Sequence, residues 1–237
     1  PASKQLDILS ETGNRKNRFL ERLSSGQILV SDGATGTYLQ SHGLEPGACP
    51  EELNFSHPEV VQGMAKDYFD AGSDMVLTNS FGANRFMLTK YGHGDRVKEF
   101  NRLASELARS QAPQDCFVIG SVGPSGEFLQ PLGEVSEAEM LEAFTEQIVA
   151  LEEGGADGII IETMTALEEA SLAIQAAKGH DQSIKDSAPK NITTPVIIGF
   201  RAWRYGPRIT SFFGGSQGAG VPSPGPVNKD TVHPINT

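Results

Sequence analysis

Residues 136–165 read SEAEMLEAFTEQIVALEEGGADGIIIETMT. Ser136 followed by Glu139 has the form of a capping box, in which a hydroxyl and a carboxylate satisfy two orphan N–H groups at a helix start. Met140, Leu141, Phe144, Ile148 and Leu151 then recur at helical spacing. Gly154-Gly155 ends that helix. Gly158-Ile159-Ile160-Ile161 follows as an unbroken apolar run. A strand that is apolar on both faces is buried on both, as in a parallel sheet covered by helices. The run closes on Glu162-Thr163, so a polar end follows a fully apolar strand.

The same pattern extends in both directions. Gln27-Ile28-Leu29-Val30, Asp74-Met75-Val76-Leu77-Thr78, Cys116-Phe117-Val118-Ile119-Gly120 and Thr194–Phe200 read as further strands. Helical faces fall between them. Ser56 is the expected cap of a helix carrying Val60, Val61, Met64, Ala65, Tyr68 and Phe69, which Gly72 ends. Val97, Phe100, Leu103, Ala104, Leu107 and Ala108 mark another. Thr165 with Glu168 suggests a second capping box, for a helix ending at Gly179. Strands recur about every 40 residues, which suits βα units. An open doubly wound sheet and a (β/α)8 TIM barrel both fit this α/β pattern. Eight units of about 40 residues need more than about 300, so a barrel is incomplete in this chain. A five-strand portion leaves sheet edges and apolar surface open.

Composition divides the chain of 237 residues, with its net charge of −11. Residues 1–21 are polar and read as a mobile lead-in or an outer helix. Residues 22–200 form the expected barrel domain. Residues 201–237 are rich in Gly and Pro, basic and without amphipathic period, and read as a tail foreign to the barrel. The acidic body excludes bulk-charge binding of nucleic acid or anionic membrane. No apolar run reaches the ~18 residues of a membrane span. Cys49 and Cys116 make no disulfide framework, which points to a reducing, cytoplasmic setting.

Chemistry-bearing residues collect at the C-terminal ends of the predicted strands, where α/β folds bind ligands. The first ends in Ser31-Asp32-Gly33-Ala34-Thr35-Gly36-Thr37 and the second in Thr78-Asn79-Ser80-Phe81-Gly82-Ala83-Asn84. The third ends in Gly120-Ser121-Val122-Gly123-Pro124-Ser125-Gly126 and the fourth in Glu162-Thr163. Asp32 and Glu162 suit a ligand ammonium, and Gly and Thr N–H groups suit its carboxylate. An amino-acid-like zwitterion is the natural guest. Plainer roles compete: a turn cap for Asp32, loop hydrogen bonds for Thr78, Asn79 and Ser80, and a structural ion pair for Glu162. Asp32 and Glu162 as an acid/base pair on another substrate is a further reading. The five histidines show no metal-ligand spacing. The Glu51-Glu52 pair reads as a solvated face, and Cys49 as an inert loop thiol.

The segments DGATGT, LTNSFGANRFMLTKYG, IGSVGPSGEFLQPLG and GGADGIIIET, in this order over roughly residues 22–200, together resemble the homocysteine S-methyltransferase family. That family includes the homocysteine-binding module of cobalamin-dependent methionine synthase. The resemblance implies a (β/α)8 barrel. It implies methyl transfer to the homocysteine thiol from methylcobalamin, S-methylmethionine, S-adenosylmethionine or betaine. By resemblance, Asp32 and Gly33 meet the amino-acid end of homocysteine, Thr78, Asn79 and Ser80 line the pocket, and Glu162 accepts the ammonium. The family also implies zinc held by three cysteines, none matched by Cys49 or Cys116. No catalytic residue or metal ligand is therefore carried over. An impaired enzyme, or a non-catalytic form that retains amino-acid or partner binding, is what the resemblance leaves.

Overall fold

A computed structural model of the chain describes residues 2–184 and 196–199, with side chains for 13–179. The tail expected at 201–237, and the outer residues of the predicted strand 194–200, lie outside these. Helix α1 spans Ala2–Ser24, α2 Thr35–Ser41, α3 Leu53–Ser56 and α4 Pro58–Asp70. Strand β1 is Met75–Leu77, followed by α5 (Arg85–Lys90), α6 (Val97–Arg109) and β2 (Phe117–Val122). Then come α7 (Glu137–Glu153), β3 (Gly158–Glu162), α8 (Leu167–Ile184) and β4 (Val196–Gly199).

The four strands are parallel and lie in the order β1-β2-β3-β4, with Met75 beside Phe117, Ile119 beside Gly158 and Ile159 beside Val196. A doubly wound sheet reverses its order at a switch point, and this one does not. With right-handed crossovers, unreversed order puts the connecting helices on one face. Val122, Ile159 and Ile161 face them and pack with Met140, Phe144, Ile148 and Leu151 of α7 and Ala173 and Ala176 of α8. Val76 and Val118 do the same against Ala65, Phe69 and Ala108. Phe117, Ile119, Met75, Leu77 and Ile160 point to the other face.

The segment at 1–21 is read as either a mobile lead-in or an outer helix; its described residues, from Ala2 on, belong to helix α1, which docks under the sheet. Phe19 is fully buried against Phe117, ring centroids 4.8 Å apart. Burying such a ring contributes about 2–3 kcal/mol. Arg15, Arg18 and Arg22 pair with Asp157, Asp115 and Asp74, the aspartates just ahead of β3, β2 and β1. The spacing is physical: seven helical residues rise about 10 Å, close to two strand-to-strand steps of about 4.8 Å.

Some local expectations are corrected. Residues 27–30 form no strand; the first segment pairs only through a bridge from Ser31 to Met75, and Ile28 is 91% exposed. Apolar residues alone did not supply a partner on that side. Ser56 does not cap α4, whose N-cap is His57; its hydroxyl donates to the Glu52 carbonyl instead. α8 begins at Leu167 and continues through Gly179 to Ile184, so neither the Thr165 start nor the Gly179 stop holds. The capping box of Ser136 and Glu139 is formed.

Candidate functional site

The bridge at Ser31 brings Asp32 to the C-terminal end of β1, where its Oδ2 accepts the Leu77 N–H at 2.8 Å. The Ser31 hydroxyl donates to Oδ1 at 2.9 Å. Burial pushes the Asp32 carboxyl up to about 6; its hydrogen bonds pull the other way, and the charge of Glu162 adds to the rise. Asp32 and Glu162 thus stand at the same, C-terminal edge of the sheet, Asp32 beside β1 and Glu162 at the end of β3. Gly33 sits against the Tyr68 ring, and a Cβ there would lie 2.9 Å from the phenol oxygen. Burial and then the charge of Asp32 raise the Tyr68 phenol.

Glu162 is the last residue of β3, and its Oε1 accepts the Ser121 hydroxyl at 2.7 Å. Thr163 follows with φ of 61°. A β-branched residue rarely adopts the left-handed region, and such strain collects at binding sites. It turns the chain sharply out of the sheet directly after the carboxylate.

Thr78, Asn79 and Ser80 are buried, and their side chains are engaged by protein. Thr78 Oγ1 accepts the Ser121 N–H at 3.0 Å, and the Ser80 hydroxyl donates to the Ser121 carbonyl at 2.8 Å. Asn79 Nδ2 donates to the Pro50 carbonyl and to Asn54 Oδ1, while Asn54 Nδ2 donates to the Asn79 carbonyl. The structure therefore sets Asp32 and Glu162 at one edge of the sheet, ties Thr78 and Ser80 to Ser121, the partner of Glu162, and ties Asn79 to Pro50 and Asn54.

Other functional supports escaped the sequence reading. Glu51 is not on a solvated face. It is 3% exposed, its Oε1 accepts the Gly82 N–H at 2.6 Å, and burial raises its carboxyl. Glu169 is buried and accepts both the N–H and the hydroxyl of Ser125, at 2.7 and 2.6 Å. The two carboxylates thus hold the loops after β1 and β2. An acidic residue beside a polar strand end gives no hint of this in sequence, because the partners lie about 30 and 44 positions away.

Residues 29–208 match the model of the family described as Homocysteine S-methyltransferase. The chain belongs to the homocysteine S-methyltransferase family. Methionine synthase of Mycobacterium leprae is 31% identical over 228 residues, which cover 90% of this chain and 18% of that protein. Betaine–homocysteine S-methyltransferase 1 of Bos taurus is 28% identical over 177 residues, 72% of this chain and 43% of that one. The chain thus spans less than half the length of either relative. The homocysteine methyltransferase MmuM of Escherichia coli, in its oxidized form, shares the fold with a TM-score of 0.60 at 23% identity, covering 76% of this chain and 65% of that one. The family identification read from the four strand-end segments is therefore shown.

The zinc that the family resemblance implies does not fit the described residues. Among them no group of three or more His, Cys, Asp or Glu is arranged to hold a metal. Cys49 is buried, donates to Glu51 Oε2 at 3.3 Å and is pushed up to about 12 by burial and then by the Glu51 charge, so it stays a thiol. Cys116 lies at the opposite end of the sheet, just before β2, with its thiol on the Ser73 carbonyl. Among the described residues no helix is long and apolar enough to cross a membrane.

Proposed function

We propose that this chain supplies the homocysteine site of a (β/α)8 enzyme that methylates the homocysteine thiol to give methionine. The observation that carries this is a carboxylate at each of two strand ends on one edge of the sheet, Asp32 held by the Leu77 N–H and Glu162 by the Ser121 hydroxyl. Such a pair attracts an ammonium, which relieves the repulsion between the carboxylates as it binds. The half-buried setting strengthens that attraction relative to water. Gly33, without a side chain, leaves its backbone open to the other end of the zwitterion. Thr78, Asn79 and Ser80 complete the pocket from behind.

In the overall transfer the thiol loses its proton, sulfur forms a bond to the methyl carbon, and the methyl–donor bond breaks with its electrons leaving on the donor. A free thiol ionises near pH 8.5, so this step needs activation at neutral pH. The described residues do not form a zinc site, and none of them is assigned that role. Nothing at the amino-acid end distinguishes one donor from another.

The test is titration of the purified protein with L-homocysteine, followed by methionine formation with zinc and, separately, methylcobalamin, betaine, S-methylmethionine and S-adenosylmethionine. Binding with turnover by at least one donor supports the full proposal. Binding without turnover reassigns the chain to amino-acid binding alone. Absence of homocysteine binding contradicts the proposal.

A further inference from the structure

We propose that Ser121 is the positioning residue for the Glu162 carboxylate, and that the Thr78 and Ser80 hydroxyls act on the ligand through it. This rests on the ammonium-binding reading of Glu162 given above and adds the residues that aim that group.

The backbone ladder between β1 and β2 ends at the pair Leu77 and Ile119. Beyond it, side chains take over. The Ser121 N–H donates to Thr78 Oγ1 at 3.0 Å, and the Ser121 carbonyl accepts the Ser80 hydroxyl at 2.8 Å. Thr78 Oγ1 and Ser80 Oγ lie 2.6 Å apart. A carbonyl only accepts, so the Ser80 proton is spent on Ser121. Thr78 is then the donor to Ser80, and the three residues close a circuit in which each hydroxyl gives one bond and takes one. Gln147 of α7 steadies it by donating Nε2 to the Ser80 carbonyl at 2.8 Å.

The circuit grips Ser121 at both its N–H and its carbonyl. All four groups are buried: Thr78, Ser80, Ser121 and Gln147. The one polar group of Ser121 left over is its hydroxyl, which donates to Glu162 Oε1 at 2.7 Å. A glutamate side chain loses up to about 2 kcal/mol of rotamer freedom when fixed. A carboxylate already held by one oxygen meets a ligand with that loss incurred, and affinity rises by preorganisation. Glu162 Oε2 has no such protein bond from Ser121 and is the oxygen offered to the ammonium.

The test compares two ligands by calorimetric titration: L-homocysteine, and 4-sulfanylbutanoate, which is the same molecule without its ammonium. The proteins are the wild type, Ser121→Ala, Ser121→Thr and Glu162→Gln, each checked for folding by thermal melting. Ser121→Ala is expected to weaken homocysteine about tenfold, the worth of a hydrogen bond to a charged group. It leaves 4-sulfanylbutanoate unchanged, and Ser121→Thr restores homocysteine. Thr78→Val opens the circuit by removing the acceptor of the Ser121 N–H while leaving the Ser121 hydroxyl in place; a smaller loss with the same selectivity is expected, and this variant decides the matter if Ser121→Ala does not fold. Equal losses for both ligands, or none for homocysteine, overturn the positioning role. A selective loss in Glu162→Gln without one in Ser121→Ala overturns positioning alone. No selective loss in Glu162→Gln overturns the reading of Glu162 and the positioning role with it.

Discussion

Asp74 and Asp157 do the same work in two different units of the sheet. Each stands directly before a strand, and each carboxylate accepts a backbone N–H of the neighbouring strand segment, from Val30 and Val118 at 2.9 Å. Each also pairs with an arginine of α1, Arg22 or Arg15. Asp157 is fully buried and takes Arg109 as a second partner, whereas Asp74 keeps some exposure.

The difference in burial predicts a difference in cost. Removing one partner of a buried ion pair strands the other charge and costs about 3–5 kcal/mol. Asp157→Ala is expected to lose that much in urea unfolding. Asp74→Ala is expected to lose about 1–2 kcal/mol, since its pair is better screened. Similar losses at the two positions would contradict the difference in burial between the two aspartates.

Gly154 and Gly155 are adjacent, yet they are glycine for separate reasons. Gly155 has φ of +102°. Gly154 has an ordinary backbone, but a Cβ there would lie 2.3 Å from the Arg102 carbonyl oxygen of α6. Gly154→Ala therefore forces α7 away from α6 and is expected to cost about 1–3 kcal/mol by thermal unfolding. A neutral result would mean the two helices sit further apart.

Much of the fold was legible because its signals are local. The run Ile159-Ile160-Ile161 identified a doubly buried strand, and Ser136 with Glu139 fixed the start of α7. The strand-end positions of Asp32 and Glu162 were legible because each residue follows an apolar segment. What failed depended on partners distant in sequence. Ile28-Leu29-Val30 looks like Met75-Val76-Leu77, yet only the latter gains a full ladder. Glu51 looks like Glu52, yet one is buried on the Gly82 N–H and the other is exposed. The arginines at 15, 18 and 22 share one helical face, a signal present in the sequence whose three aspartate partners only the sheet brings into line.

Asp32 makes stability depend on pH in an unusual direction. Its folded-state pKa of about 6 lies above the ordinary 3.8. Between those values the folded protein binds more protons at this site than the unfolded chain, so the contribution of Asp32 to stability falls as pH rises from about 4 to about 6. Asp32→Asn is expected to remove that loss, about 1–2 kcal/mol between pH 4 and 7 relative to wild type after solvent screening. Glu162→Gln is expected to reduce it in part, because the Glu162 charge contributes to the rise. Chemical denaturation at several pH values measures both. Parallel pH profiles for wild type and Asp32→Asn would contradict the burial described for this carboxylate.

Thr163 adopts a left-handed backbone that glycine takes without steric penalty. Thr163→Gly is expected to leave stability unchanged or raise it by up to about 1 kcal/mol in thermal unfolding. A clear loss would show that the threonine side chain contributes contacts that outweigh its strain.

The central claim is that Glu162, at the end of β3, receives the ammonium of homocysteine. The most direct measurement is the homocysteine dissociation constant of the wild type against Glu162→Gln, which keeps the shape and removes the charge. A carboxylate that pairs with an ammonium in a half-buried site predicts at least about tenfold weaker binding in the variant. Equal affinity in the two proteins would contradict the account.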